Sequence, residues 1–363
     1  MVFTEDLKHV VCLCEDKEED IDLVLNMLKR FNQQNKELRF GTFVFGPVVL
    51  RLFYYLQKPD IVLKILNDKD LDGLRFGTFV FGPVVLRLFY YLQIPDIVLK
   101  ILNDKDLDGF FNQFSSYHIA MDLLYKTERY QDLLNLFDSM QEKQLYGTKF
   151  PRECVGLALA SCYKLNTRES YEYALKLIQD AREVGALILR KGLTFAAALA
   201  LNHNEPKVAM ELLALTAQLN YITVRNLRMI ALAELDRLDD IFLTLRSIIH
   251  QDVPTLSRHE QQVCSEAVAK VEESLKRVGD KEKSHMFEQM QRALRENNHL
   301  SQESLEELLC SPLAARPTSR DFDRSSGPRI GSHMPGYQRV PIRGASGVRL
   351  PVRHRQGLRD VDE

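Results

Sequence analysis

The residues able to do chemistry in this chain are scattered. His118 stands beside Tyr117, His203 sits in LNHNEP, and His259 precedes Glu260, yet none has a second histidine or cysteine at i+3 or i+4. Metal centres and general acid–base pairs need partners at such defined spacings. The acidic runs Glu15 to Asp20 and Asp236 to Asp240 fall where helices start or chains turn, and carboxylates there favour the helix dipole. Six cysteines, Cys12, Cys14, Cys154, Cys162, Cys264 and Cys310, form no CxxC pair and no regular disulfide spacing, so they read as free thiols in a reducing compartment. The sequence therefore calls for no catalysis, no metal and no cofactor. What it does offer is phosphate-binding chemistry: Arg225 and Arg228 lie three apart on one helix, and Arg190 with Lys191 opens another. Ordinary solvated charge is the competing reading of all four.

The elements that must position these residues come from an internal repeat. Residues 38–73, LRFGTFVFGPVVLRLFYYLQKPDIVLKILNDKDLDG, recur at 74–109 with one change, Lys58 becoming Ile94. An identity that high marks either a recent duplication of coding sequence or an error in the gene model. The stretch FVFGPVVLRLFYYL alone has the aromatic and β-branched content of a buried strand. The following half decides for helix. Pro59 and Pro95 suit a first helical position, Asp60 and Asp96 put a carboxylate in the first turn, and Gly73 and Gly109 supply a stop.

The clearest hairpin is SSYHIAMDLLYKTERYQDLLNLFDSMQEKQLYG, Ser115 to Gly147. Tyr117, Met121 and Leu124 form one helical stripe, Leu133, Phe137 and Met140 another, and the polar run Lys126 to Arg129 turns the chain between them. A two-helix hairpin cannot cover both stripes by itself, so neighbouring hairpins must stack on it. Further hairpins are expected at Glu153 to Gly185, Ala186 to Asn220 and Tyr221 to His250. The period near 35 residues predicts an all-α, right-handed α-solenoid over 1–252, capping helices over 253–310, and a disordered Arg/Pro/Gly-rich tail over 311–363.

The run DLLYKTERYQDLLNLFDSMQEKQL resembles the pentatricopeptide repeat: an early Tyr, Lys before the turn, Arg after it, and a leucine-rich second helix ending in Met and charged residues. FGPVVLRLFYYL, CYKLNTRES and FAAALALNHNE carry the resemblance along the chain. It implies a non-catalytic RNA-binding adaptor in mitochondrial RNA maturation and mRNA processing, and through that in respiratory-chain function, with other RNA-processing proteins as partners. By the family's register, His118 and Thr148 are the side chains of this repeat that address a base. The equivalent early positions are Pro47, Pro83, Gly156 and Thr194, and prolines and glycine offer no side-chain hydrogen bond, which favours sequence-tolerant binding. The duplicated block departs from the family by adding a hairpin. The amino terminus, MVFTEDLKHVVCLCEDKEED, is acidic and lacks Arg, so a transit peptide is expected to be missing from this sequence.

Charge leaves a rival open. The chain carries 48 basic and 50 acidic side chains. Ten Arg and five acids lie beyond Cys310, giving the tail +5 and leaving 38 basic and 45 acidic groups, net −7, in the body. An acidic body suits a helical-repeat protein–protein scaffold better than RNA. No apolar run reaches the roughly 20 residues that span a bilayer; the nearest, Val48 to Leu56, contains Arg51.

Overall fold

The computed structural model describes residues 2–35, 45–68, 81–107, 109–143, 148–216, 221–249, 262–301 and 303–311. Contacts divide the chain into two units, Met1–Leu309 and Cys310–Glu363. Apart from Cys310 and Ser311, the tail lies outside the described residues.

The first unit is a run of helical hairpins, as the stripes require. In chain order the helices are α1 (Thr4–Leu13), α2 (Glu18–Asn35), α3 (Gly46–Tyr55), α4 (Pro59–Asn67), α5 (Phe81–Tyr91), α6 (Pro95–Leu102), α7 (Phe114–Lys126) and α8 (Tyr130–Glu142). There follow α9 (Arg152–Leu165), α10 (Arg168–Glu183), α11 (Arg190–Asn202), α12 (Pro206–Ala214), α13 (Ile222–Glu234) and α14 (Leu238–Ile249). Helices α15 (Ser265–Val278), α16 (Lys281–Glu296) and α17 (Leu305–Cys310) end the body. The strand content of the described residues is one parallel pair, β1 (Val263–Cys264) and β2 (Leu300–Ser301). The fold is therefore all-α, and no described helix is long and apolar enough to cross a membrane.

The first helix of each hairpin packs on the first helix of the next. Contacts run α1 to α3, α3 to α5, α5 to α7, α7 to α9, α9 to α11, α11 to α13 and α13 to α15, so the odd-numbered helices form one continuous layer. Each even-numbered helix packs against its own hairpin partner. Burial follows: Phe53, Phe89, Leu124, Cys162, Ala200 and Leu232, one per first helix from α3 to α13, are all buried. At α9 and α11 the layer is drawn tight by glycine, because a Cβ on Gly192 would lie 3.1 Å from Leu159 Cδ1 and 3.6 Å from the Gly156 Cα.

A single turn geometry sets the register. Gln57, Gln93, Glu128, Asn204 and Asp236 all have positive φ, between 54° and 60°. After each, the next N–H donates back to a carbonyl five residues earlier: Lys58 to Phe53, Ile94 to Phe89, Arg129 to Leu124, Glu205 to Ala200 and Arg237 to Leu232, at 2.9–3.1 Å. This is the Schellman closure, here made without glycine. Asn166 also has positive φ, but its N–H donates to Cys162, and Thr167 then caps α10 through its side chain.

The duplicated copies fold as the same hairpin, α3–α4 and α5–α6, one packed on the other. What differs is their neighbour. Tyr90 donates to Asp122 at 2.6 Å and Arg129 pairs with Asp96, whereas the matching Tyr54 meets the Tyr91 ring at 6.3 Å. Removing residues 74–109 joins Gly73 to Phe110, a junction the chain already makes at Gly109–Phe110. It places Tyr54 opposite Asp122 and Asp60 opposite Arg129. Circular dichroism and urea melting of this deletion are expected to show a folded chain with one hairpin less helix; cooperative collapse would mean the block is not a modular repeat.

Candidate nucleic-acid interface

Counting back from the positive-φ residue phases the first helices from α3 to α13. His118 lies ten residues before Glu128, and the same offset gives Pro47, Pro83, Gly156, Thr194 and Asn226. Residues four and eight further on share that helix face. The stripe thus reads Pro47, Arg51, Tyr55 on α3; Pro83, Arg87, Tyr91 on α5; His118, Asp122, Lys126 on α7. It continues through Gly156, Ala160, Lys164 on α9, Thr194, Ala198, Asn202 on α11, and Asn226, Ile230, Glu234 on α13.

The two ends of this stripe differ in chemistry. Over α3, α5 and α7 it is open: Arg51, Arg87, His118 and Lys126 are exposed, and Tyr55 and Tyr91 keep 77% and 60% of their surface accessible. Tyr54 lies edge-on to Tyr55 at 5.7 Å, and through its contact with Tyr91 it links the aromatic groups of the two copies. Lys126 sits 4.7 Å from the centre of the Tyr90 ring and 3.4 Å from Asp122; its bond to the Tyr90 hydroxyl holds the ammonium above its usual pKa. It stays charged at any physiological pH.

Over α9 to α13 the stripe is mostly buried: Ala160, Thr194, Ala198, Asn226 and Ile230 are covered, Asn202 stays exposed, and Lys164 is its one cation. A cavity of about 500 Å³ opens among first-helix residues, with Ala198, Leu201 and Ile230 inside and Glu234, Glu266 and Glu273 around Lys270. Desolvation raises the pKa of Glu234. Helix α17 comes back across this side: Leu305 lines the cavity, its N–H donates to Glu266 at 3.2 Å, and Glu306 pairs with Lys164.

The residues singled out from sequence separate accordingly. His118 is exposed on the open stripe, and Thr148 is exposed at the approach to α9, where its hydroxyl accepts from the Phe150 N–H at 3.1 Å. Thr194 is 2% exposed and its hydroxyl donates to the Lys191 carbonyl, so it faces no ligand. Arg190 stacks over the Tyr221 ring at 3.4 Å, a bond between the starts of α11 and α13, and Lys191 beside it is half-buried. Arg225 shares its register with Tyr117, Val155 and Leu193, all of them core, and is only 7% exposed; desolvation lowers its pKa. Arg228 is likewise in register with Ala120, Ala158 and Ala196, and is half-buried. The geometry brings none of these four onto the stripe. It brings Arg51, Tyr55, Arg87 and Tyr91 there instead, residues that sequence reasoning had absorbed into a buried run; the i, i+4 pairing of Arg with Tyr in both copies was the available signal.

Burial pushes the Cys154 and Cys162 thiols up to about 12 and leaves them protonated at neutral pH. No cluster of metal ligands occurs among the described residues.

No protein-family model matches the chain. Curated relatives do. The chain is 27% identical over 310 residues to pentatricopeptide repeat-containing protein 2, mitochondrial, of Mus musculus, covering 85% of this chain and 70% of that one. To the protein of the same name from Homo sapiens it is 29% identical over 311 residues, 85% and 69% of the two chains. With the Pongo abelii protein the figures are 30% over 279 residues, 77% and 62%. The stacked hairpins and these relatives agree: across most of its length the chain is similar to pentatricopeptide repeat-containing protein 2, and by that resemblance its place is the mitochondrion.

Proposed function

We propose that the chain is a non-catalytic RNA-binding adaptor. It acts in mitochondrial RNA maturation and mRNA processing, alongside other RNA-processing proteins, and through that work sustains respiratory-chain function. The observation that carries this reading is the continuous layer of first helices held in one register, with an exposed basic and aromatic stripe that includes His118 and Lys126. Helical-repeat RNA readers use such a layer as a linear ruler. The name of the relatives supports the same class.

The ten arginines beyond Cys310 give the tail the larger phosphate-neutralising capacity. Each phosphate contact on a single strand adds about 0.7 to the logarithmic salt slope. Filter binding from low to moderate salt, comparing the full chain with residues 1–310, is expected to show weaker binding and a flatter slope for the shorter chain. Equal slopes would place all binding on the helices. Failure of both to crosslink RNA would favour a protein–protein scaffold, the reading that the −7 charge of the body supports.

A further inference from the structure

We propose that the duplicated hairpins form a two-rung stacking ladder for single-stranded RNA, with Tyr55 and Tyr91 as base platforms and Arg51 and Arg87 as the phosphate grips beside them. The proposal rests on the RNA-binding reading and gives it a location. Each rung is an Arg followed four residues later by a Tyr, one above the other on the exposed face of its helix. Helices α3 and α5 are direct neighbours in the layer, so the rungs stand side by side. Large aromatic rings left 77% and 60% accessible sacrifice burial that the core would have rewarded, and here they do so twice at the same register. Tyr54, touching both Tyr55 and Tyr91, holds the platforms in a fixed relation, which limits the ordering cost when a strand binds.

The chemistry selects the occupant. Aromatic faces interleaved with guanidinium groups match alternating bases and phosphates, and stacking accepts every base. The position that would read base edges is occupied by Pro47 and Pro83, so recognition at these rungs is sequence-tolerant. The next helix, α7, continues the track with His118 and Lys126. The track ends at α9, where Lys164 is paired with Glu306 and only partly exposed, because the stripe beyond it carries no further Lys, Arg or aromatic residue and closes on Glu234.

The test uses the full chain at moderate salt, with fluorescein-labelled oligo(U), oligo(A) and a mixed-sequence 12-mer read by anisotropy, and a 2-aminopurine oligoribonucleotide read by quenching. The double variant Tyr55→Ala/Tyr91→Ala is expected to lose about 20-fold or more in affinity for all three strands and to lose the quenching. Tyr55→Phe/Tyr91→Phe keeps both, since the π-face remains. Arg51→Gln/Arg87→Gln lowers the salt slope by about 1.4. All four side chains are solvent-facing, and unchanged thermal melting of the variants verifies that the fold is intact. Wild-type affinity and quenching in the Tyr→Ala double variant would overturn the ladder while leaving RNA binding elsewhere on the chain. Absence of binding by the unmodified chain would overturn the RNA-binding reading itself.

Discussion

Asn226→Ala is expected to destabilise the chain by about 3 kcal/mol and to loosen its carboxy-terminal end first. Asn226 is fully buried and each end of its amide is used: Nδ2 donates to the carbonyls of Ile222 at 2.9 Å and Gln262 at 3.3 Å, and Oδ1 accepts from the Cys264 N–H at 2.9 Å. Alanine leaves the Cys264 donor and the Gln262 acceptor without these partners, at about 1–3 kcal/mol for each buried group so stranded. Cys264 belongs to β1, which pairs with β2 and leads into α15, so the lost bonds are those that seat the last helices on α13. Hydrogen exchange should therefore rise across 262–309 before it rises across α7 to α11. Asn226→Asp keeps the acceptor but turns a carboxylate toward two carbonyls, and is expected to cost more than alanine. A melting temperature within a degree of the parent for both variants would show that the clasp contributes nothing.

Phe89→Ala is expected to cost about 3–5 kcal/mol and to split the unfolding transition. Phe89 is fully buried on α5, between α3 and α7 in the layer, and its carbonyl closes the turn to α6. In a nearest-neighbour array, a cavity at one helix weakens the coupling of everything on its far side. The hairpins preceding α5 should then melt separately, seen as a first phase in urea denaturation and as early exchange over α1 to α4. Phe53→Ala, at the same site of the preceding copy, isolates only the α1–α2 segment and should produce a smaller first phase. A single shifted transition for Phe89→Ala would mean that the stack unfolds as one cooperative block.

The helices between Phe114 and Ile249 were readable because their apolar stripes keep helical spacing and the breaks between them are polar. The phase between hairpins was harder to extract. It is set by positive-φ turn residues, and three of them are Gln57, Gln93 and Glu128, types that carry no turn signal in sequence. Without that anchor, Arg225 and Arg228 read as surface cations, whereas the register turns them inward among residues equivalent to Tyr117 and Ala120. The same missing anchor hid Tyr55 and Tyr91, since a run such as FYYL looks uniformly buried until one knows which tyrosine faces out. The pairing of Lys164 with Glu306 joins residues 142 apart, beyond any periodic pattern.

If the repeat is a duplication of coding sequence, the near-identity of the two copies makes hairpin number an adjustable quantity. Because each copy ends on the residue that must precede Phe110 and begins on the one that must follow Gly73, in-frame unequal crossing-over can lengthen or shorten the gene by whole hairpins without creating a new junction. Every gain would add one Arg–Tyr pair to the exposed stripe and every loss would remove one, while α7 and all that follows it met the same neighbouring helix as before. Footprint length on a bound strand would then be inherited separately from stability, and alleles differing only in copy number would form a graded series.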